Sequence, residues 1–213
     1  MSSHSFWGES TPMKFAALYM LLAVALTLRA TGDDGMASQI SAKNFEIAGI
    51  TLGLSTDHDV EQILGAAPAV DTPDHEGARR CYLSASGDGT VLEIESWVGT
   101  VIQFRLGSRP NATEVRCARS SLVSRKIATG KGLKLGLLRK QVISILGTPK
   151  AVRGPRLEYE QSLDRPLTAR EKLRLKGSRP PWDVKSVHVM NRIEIVLSDG
   201  KVTSICVLHN ETD

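Results

Sequence analysis

An α+β fold in two tandem units is what this sequence predicts, each unit a short helical segment packed on a three- to four-stranded antiparallel sheet. Three observations carry that prediction. The stretch "GITLGLSTDHDVEQILGAAPAV" (49–70) is written again, loosely, as "GLKLGLLRKQVISILGTPKAV" (132–152). Each copy sets three apolar residues at i, i+3, i+4 and follows them at once with a glycine. Behind each come runs that alternate apolar and polar residues, divided by turn residues.

The chain begins with a different kind of segment. "FAALYMLLAVALTL", Phe15 to Leu28, holds no charge and lies between Lys14 and Arg29. As a helix it would span about 21 Å, short of a hydrocarbon core of about 30 Å. That length suits the apolar core of a signal peptide, with Ala30-Thr31-Gly32 and Gly35-Met36-Ala37 as cleavage points and Met13 as an internal start. Residues 1–37 are therefore expected to be signal peptide and leader, and the protein periplasmic or secreted. An uncleaved anchor in the inner membrane is the alternative. No cysteine follows the segment, so a lipid anchor is not indicated.

The first unit is expected over 38–120. Thr56 with Asp59 makes a capping box, the acid also suiting the helix N-terminus. Val60, Ile63 and Leu64 form the apolar stripe, Gly65 ends the helix, and Pro68 bars its continuation. Strands are expected at "RRCYLSAS" (79–86), "VLEIESW" (91–97) and "VIQFRL" (101–106). The second unit, 121–213, repeats the pattern with Val142, Ile145, Leu146, Gly147 and Pro149. It lacks the cap, having Leu138-Arg139-Lys140 there, and is one residue shorter between Gly136 and Val142. Its strands are expected at "RLEYEQSL" (156–163), "SVHVMNRIEIVLS" (186–198) and "KVTSICVLH" (201–209). Asp199-Gly200 joins the last two as a hairpin. A basic insertion, 164–183, interrupts them.

The glycine, helix and "LGTP" of the second copy, with a strand hairpin behind it, resemble a signature shared by two related groups. These are the small outer-membrane-assembly lipoproteins and the β-lactamase inhibitory proteins, the latter a tandem of two such units. The resemblance covers most of 44–209 and its motif ends a helix; it is not catalytic. It implies the α+β units and protein–protein recognition, in inhibition or in envelope assembly. The chain departs from the lipoproteins in lacking the acylated cysteine, and the inhibitors' binding residues do not map onto it.

Charge divides the chain. Residues 39–120 carry seven Lys and Arg against eleven Asp and Glu, and 121–213 carry eighteen against nine. The second half is densest in "DRPLTAREKLRLKGSRPPWD" (164–183), where Arg165, Arg170, Lys172, Arg174, Lys176 and Arg179 meet only Glu171 before Trp182. Arginine and tryptophan are favoured at interfaces. Those seven, with Trp97, are the expected contacts to a protein partner in the envelope, one with an acidic surface, or to an anionic membrane touched peripherally. A solvated loop explains the same charge. Nucleic acid is a poor partner for an exported chain with 5% aromatic residues and no recognised motif.

Catalytic and metal chemistry find little support. Asp57-His58-Asp59 is a first helical turn, and no histidine or cysteine stands at metal-ligand spacing from another. Ser198 and Lys201 match S-x-x-K only by letters, at a hairpin tip. Gly130-Lys131-Gly132 lacks the remainder of a phosphate loop. Glu93 with Glu95, and Glu158 with Glu160, are the period-2 spacing of a solvated sheet face. The chain is thus expected to be a non-enzymatic binding or adaptor protein without a cofactor or metal. The alternative is an envelope hydrolase whose site lies between the repeats, with Asp57, His58 or His188 set against carboxylates of the other copy. Of three cysteines, Cys81 and Cys117 share the first unit and are the preferred disulfide, leaving Cys206 in an apolar strand. The partner and the oligomeric state are not readable.

Overall fold

The computed structural model describes residues 40–72, 76–108, 116–169, 172 and 186–212. The expected signal segment lies outside them. Among the described residues no helix is long and apolar enough to cross a membrane.

Two helices are described, α1 (Asp57–Leu64) and α2 (Arg139–Leu146). Ahead of α1 a 3-10 turn (Ala42–Phe45) leads into a small hairpin of β1 (Glu46–Ile47) and β2 (Ile50–Thr51). The first half then supplies β3 (Ala69–Asp71), β4 (Gly77–Ser84), β5 (Thr90–Trp97), β6 (Thr100–Ser108) and β7 (Ala118–Ser120). The second supplies β8 (Ala151–Arg153), β9 (Arg156–Pro166), β10 (Ser186–Ser198) and β11 (Lys201–Thr212).

These strands make one sheet in the order β3-β4-β5-β6-β11-β10-β9-β8, antiparallel throughout that path. β7 adds in parallel to β4, beside Tyr82–Ser84, while β3 pairs with Ala78–Arg80. The expected class is therefore corrected. The protein is mostly β, one large antiparallel sheet with two short helices, and not two α+β units with separate sheets. The cause is the pairing of β6 with β11, Ser204 opposite Gly107 through Leu208 opposite Gln103, which joins the strands of both halves. An alternating edge strand left open would otherwise invite pairing with another chain; here the two edges take each other.

The two helices end alike and begin differently. Gly65 (φ +94°) and Gly147 (φ +78°) close them, each N–H donating to the carbonyl four residues back. Thr56 Oγ1 accepts from the Asp59 N–H (3.3 Å), and Asp59 Oδ2 accepts from the Thr56 N–H (2.7 Å). At α2 the Leu138 N–H donates to Gln141 Oε1 (2.8 Å), which is half of such a box. Only eight residues long, neither helix stands without tertiary packing. Val60 and Leu64 of α1, and Val142 and Leu146 of α2, enter one core with Tyr82, Leu92, Phe104, Tyr159, Ile193 and Val207.

Backbone bonds ahead of each helix tie it to the last hairpin of its half. Gly53 N–H donates to Val101 O (2.8 Å), Val101 N–H to Ser55 O (2.9 Å) and Asp57 N–H to Gly99 O (3.2 Å). The same three bonds recur as Gly136 to Val202 (2.8 Å), Val202 to Leu137 (2.9 Å) and Arg139 to Gly200 (3.3 Å).

Candidate functional site: the open face of the sheet

Successive side chains of a strand point to opposite faces. On β10 the odd positions from Val187 to Leu197 are buried, and the even positions from His188 to Ser198 are partly or fully exposed. β11 carries Val202, Ile205 and Val207 inward, and β9 carries Leu157 and Tyr159 inward. The six strands from β4 to β9 of the path thus give one row of side chains to the core and leave the other on the opposite face, while the short β3 and β8 bury none.

Register turns those leftovers into rows that cross the sheet. One row runs Arg79, Glu95, Gln103, Leu208, Arg192, Glu160 from β4 to β9. The next runs Cys81, Glu93, Arg105, Cys206, Glu194, Glu158. Opposite charges meet at several places within and between them, although Glu194 faces Glu158. Arg79 Nη2 lies 2.9 Å from Glu95 Oε2, and Arg156 Nε lies 3.3 Å from Glu194 Oε1. Arg192 reaches Glu194 (3.7 Å) and Glu158 (3.8 Å), Arg153 reaches Glu158 (3.5 Å), and Lys150 bonds Glu160. Partly exposed pairs of this kind contribute at most about 1 kcal/mol each to stability. What they fix is a pattern of charge on a rigid backbone.

That pattern disfavours acid–base chemistry. The Lys150 ammonium bonded to Glu160 holds its carboxyl below the usual range, the opposite of what a general acid needs. Cys206 sits mid-sheet between Arg105 and Glu194, and burial pushes its thiol pKa up, so it is protonated and unreactive at neutral pH. Among the described residues no group of three His, Cys, Asp or Glu is placed to hold a metal ion.

The groups named for a hydrolase are not brought together. Asp57 pairs with Arg80 of its own half, and His58 bonds Gln62 one turn along α1 (2.9 Å). His188 pairs with Asp164 (2.9 Å) on the adjacent strand, both well exposed. His209, facing the core side, bonds Asn191 Oδ1 (2.8 Å) and Glu211 Oε1 (3.2 Å).

Of the expected partner contacts, Trp97 ends β5 at 39% exposure, following Glu93 and Glu95 on the open face. Arg165 belongs to β9, not to a loop, and its Nη2 lies 2.6 Å from Glu211 Oε2. Lys172 is exposed. Arg170, Arg174, Lys176, Arg179 and Trp182 lie outside the described residues. Cys81 and Cys117 are joined in a disulfide with 4.5 Å between their Cα atoms.

Gln103, Arg105, Arg192 and Glu194 were not singled out in the sequence. Their alternation was visible, but a lone charge every second residue looks the same on any solvated strand. Only the register sets them side by side.

No family model and no curated protein matches the chain. A solved structure from Streptococcus mutans, described as a candidate beta-lactamase inhibitor protein, aligns with 90% of this chain and 96% of its own. The identity is 12% and the TM-score 0.24. A likeness that slight carries no argument about fold or activity.

Proposed function

We propose that the protein is an exported, non-enzymatic recognition protein of the bacterial envelope that binds a protein partner with the open face of its sheet. One observation carries this reading: side chains from six adjacent strands, β4 to β9 by way of β5, β6, β11 and β10, form charged rows on the face away from the helices. A surface with both signs of charge in fixed register selects a partner by complementarity, through orientation and on-rate as much as affinity. Export is supported by the Cys81–Cys117 disulfide, a bond that persists in oxidising compartments. The leader 1–37 supplies the route. The division of the remainder at residue 120 stands as a sequence division, its two halves meeting at β6 and β11. The basic stretch 164–183 is a second contact region.

The test is crosslinking in the native envelope followed by pull-down. Three full-length chains are compared: wild type, the face variant Arg105→Glu with Arg192→Glu, and a variant neutralising Arg170, Lys172, Arg174 and Lys176. A discrete protein recovered with wild type and lost from the face variant is the expected result. Loss from the basic variant alone moves the interface to 164–183. No specific protein in any sample overturns the reading.

A further inference from the structure

The loops Val98-Gly99 and Asp199-Gly200 occupy corresponding places. Each joins the two strands of the last hairpin of its half, and each glycine carbonyl accepts an N–H from the first residue of the helix. Their backbones agree, with φ of +47° and +76° in the first and +50° and +72° in the second. Two-residue hairpin loops with both residues at positive φ favour Asn, Asp and Gly. Aspartate therefore suits this backbone, whereas the branched Cβ of valine clashes in the left-handed region. No burial offsets that clash, because Val98 is 74% exposed.

A second departure lies beside the first. Gly53 and Ser55 bond Val101 as Gly136 and Leu137 bond Val202, so Leu54 is an additional residue with no counterpart in the second half. It is 78% exposed. Trp97 adjoins Val98. Two independent local departures thus set exposed apolar side chains on backbone segments that are hydrogen-bonded to each other, and neither improves the fold.

We infer that the Trp97-Val98 tip, with Leu54 beside it, enters an apolar pocket on a protein partner, the pocket being rimmed by basic groups. The rim follows from the local charge. Asp57, Asp59 and Glu61 of α1, with Glu76 and Glu95, put five carboxylates on the segments that anchor the tip, against Arg79 and Arg80, which pair with Glu95 and with Asp57 and Glu61. The Val98 N–H itself donates to the Glu76 carbonyl (2.9 Å). An anionic membrane would be repelled by that set. This inference rests on the protein-recognition reading and names where contact is tightest.

The test uses the full chain in the cells that make it, with a photocrosslinking benzoylphenylalanine at 98, at 54, or at 199 as the corresponding control. Protein adducts are expected from 98 and 54 and none from 199. The captured protein is then purified and titrated against wild type and Val98→Asn. The substitution is expected to raise Tm by about 3 °C, since it relieves the backbone, and to weaken binding about tenfold or more. A purely structural valine would not separate those two effects. A fall in Tm, equal adducts from 199, or no protein adduct overturns the inference. Co-sedimentation with phosphatidylglycerol vesicles that Val98→Asn abolishes also overturns it, in favour of a membrane. If Arg105→Glu loses the partner while Val98→Asn keeps it, the tip fails and the recognition face stands. If neither yields a protein, both fail.

Discussion

Arg80 on β4 and Leu157 on β9 stand in corresponding places, each two residues before a buried tyrosine and each paired across to an isoleucine, Ile94 or Ile195. Their chemistry is opposite. Arg80 is nearly buried and holds Asp57 and Glu61 of α1, its Nη2 lying 3.3 Å from Glu61 Oε1. Leu157 is fully buried in the shared core, and the residues of α2 that correspond to Asp57 and Glu61 are Arg139 and Ile143. The same position in a sheet can therefore be filled by a charged clasp or by plain apolar packing, provided the covering helix agrees. The agreement, and not the residue, is what the fold requires.

Exchanging the two chemistries breaks the comparison most strongly. Leu157→Arg would bury a guanidinium that meets another cation and no carboxylate, and is expected to cost about 4 kcal/mol or more. Arg80→Leu leaves two carboxylates that are already 29% and 41% exposed at the side chain, so water can take over from the arginine. Its cost is expected to stay within about 1 kcal/mol. Urea unfolding followed by circular dichroism measures both. Equal losses would show that water does not replace the arginine and that the clasp stabilises the fold as strongly as the apolar packing does.

Parts of this were legible in the sequence and parts were not, for a physical reason. The helix ends were legible because a capping box and a closing glycine are settled within about four residues. The hairpin at Asp199-Gly200 was legible on the same ground. The single sheet was not, because the pairing of β6 with β11 joins Gln103 to Leu208, and no local pattern says which strand an alternating strand will choose. The same blindness hid the charged rows of the open face. Arg105 and Glu194 are ordinary solvated charges until register sets Cys206 between them. Arg80 read as a strand residue like Arg79, since its partners lie 23 and 19 residues away on a helix.

A smaller contrast lies in the glycines ahead of the helices. Gly53 (φ +75°) and Gly136 (φ +81°) both take the left-handed conformation and make the same bond to the neighbouring strand. A Cβ on Gly136 would meet nothing within 4 Å, whereas one on Gly53 would come within 2.6 Å of the His209 ring. Gly136→Ala is expected to cost about 1 kcal/mol, the left-handed penalty alone. Gly53→Ala adds displacement of an imidazole held by Asn191 and Glu211, and is expected to cost about 2 kcal/mol. The double variant Gly53→Ala with His209→Ala tests the cause. If the collision is the difference, the alanine at 53 costs no more in that background than at 136.

The smallest effects come from the two buried tyrosines, and there the expected signs differ. Tyr82 donates its hydroxyl to the carbonyl of Gly65 (3.0 Å), tying the end of α1 to the sheet. Tyr159 has its hydroxyl buried without a protein hydrogen-bond partner, and that burial pushes its phenol up to about 12. Removing the oxygen from Tyr82 strands an acceptor and is expected to cost about 1 kcal/mol. Removing it from Tyr159 deletes a polar group that the fold desolvates without return, so Tyr159→Phe is expected to be neutral or stabilising by up to about 1 kcal/mol. Thermal unfolding of the two phenylalanine variants side by side reads the sign directly. A loss at Tyr159 equal to that at Tyr82 would mean its hydroxyl is satisfied in solution, and the two halves would then hold their helices by the same bond after all.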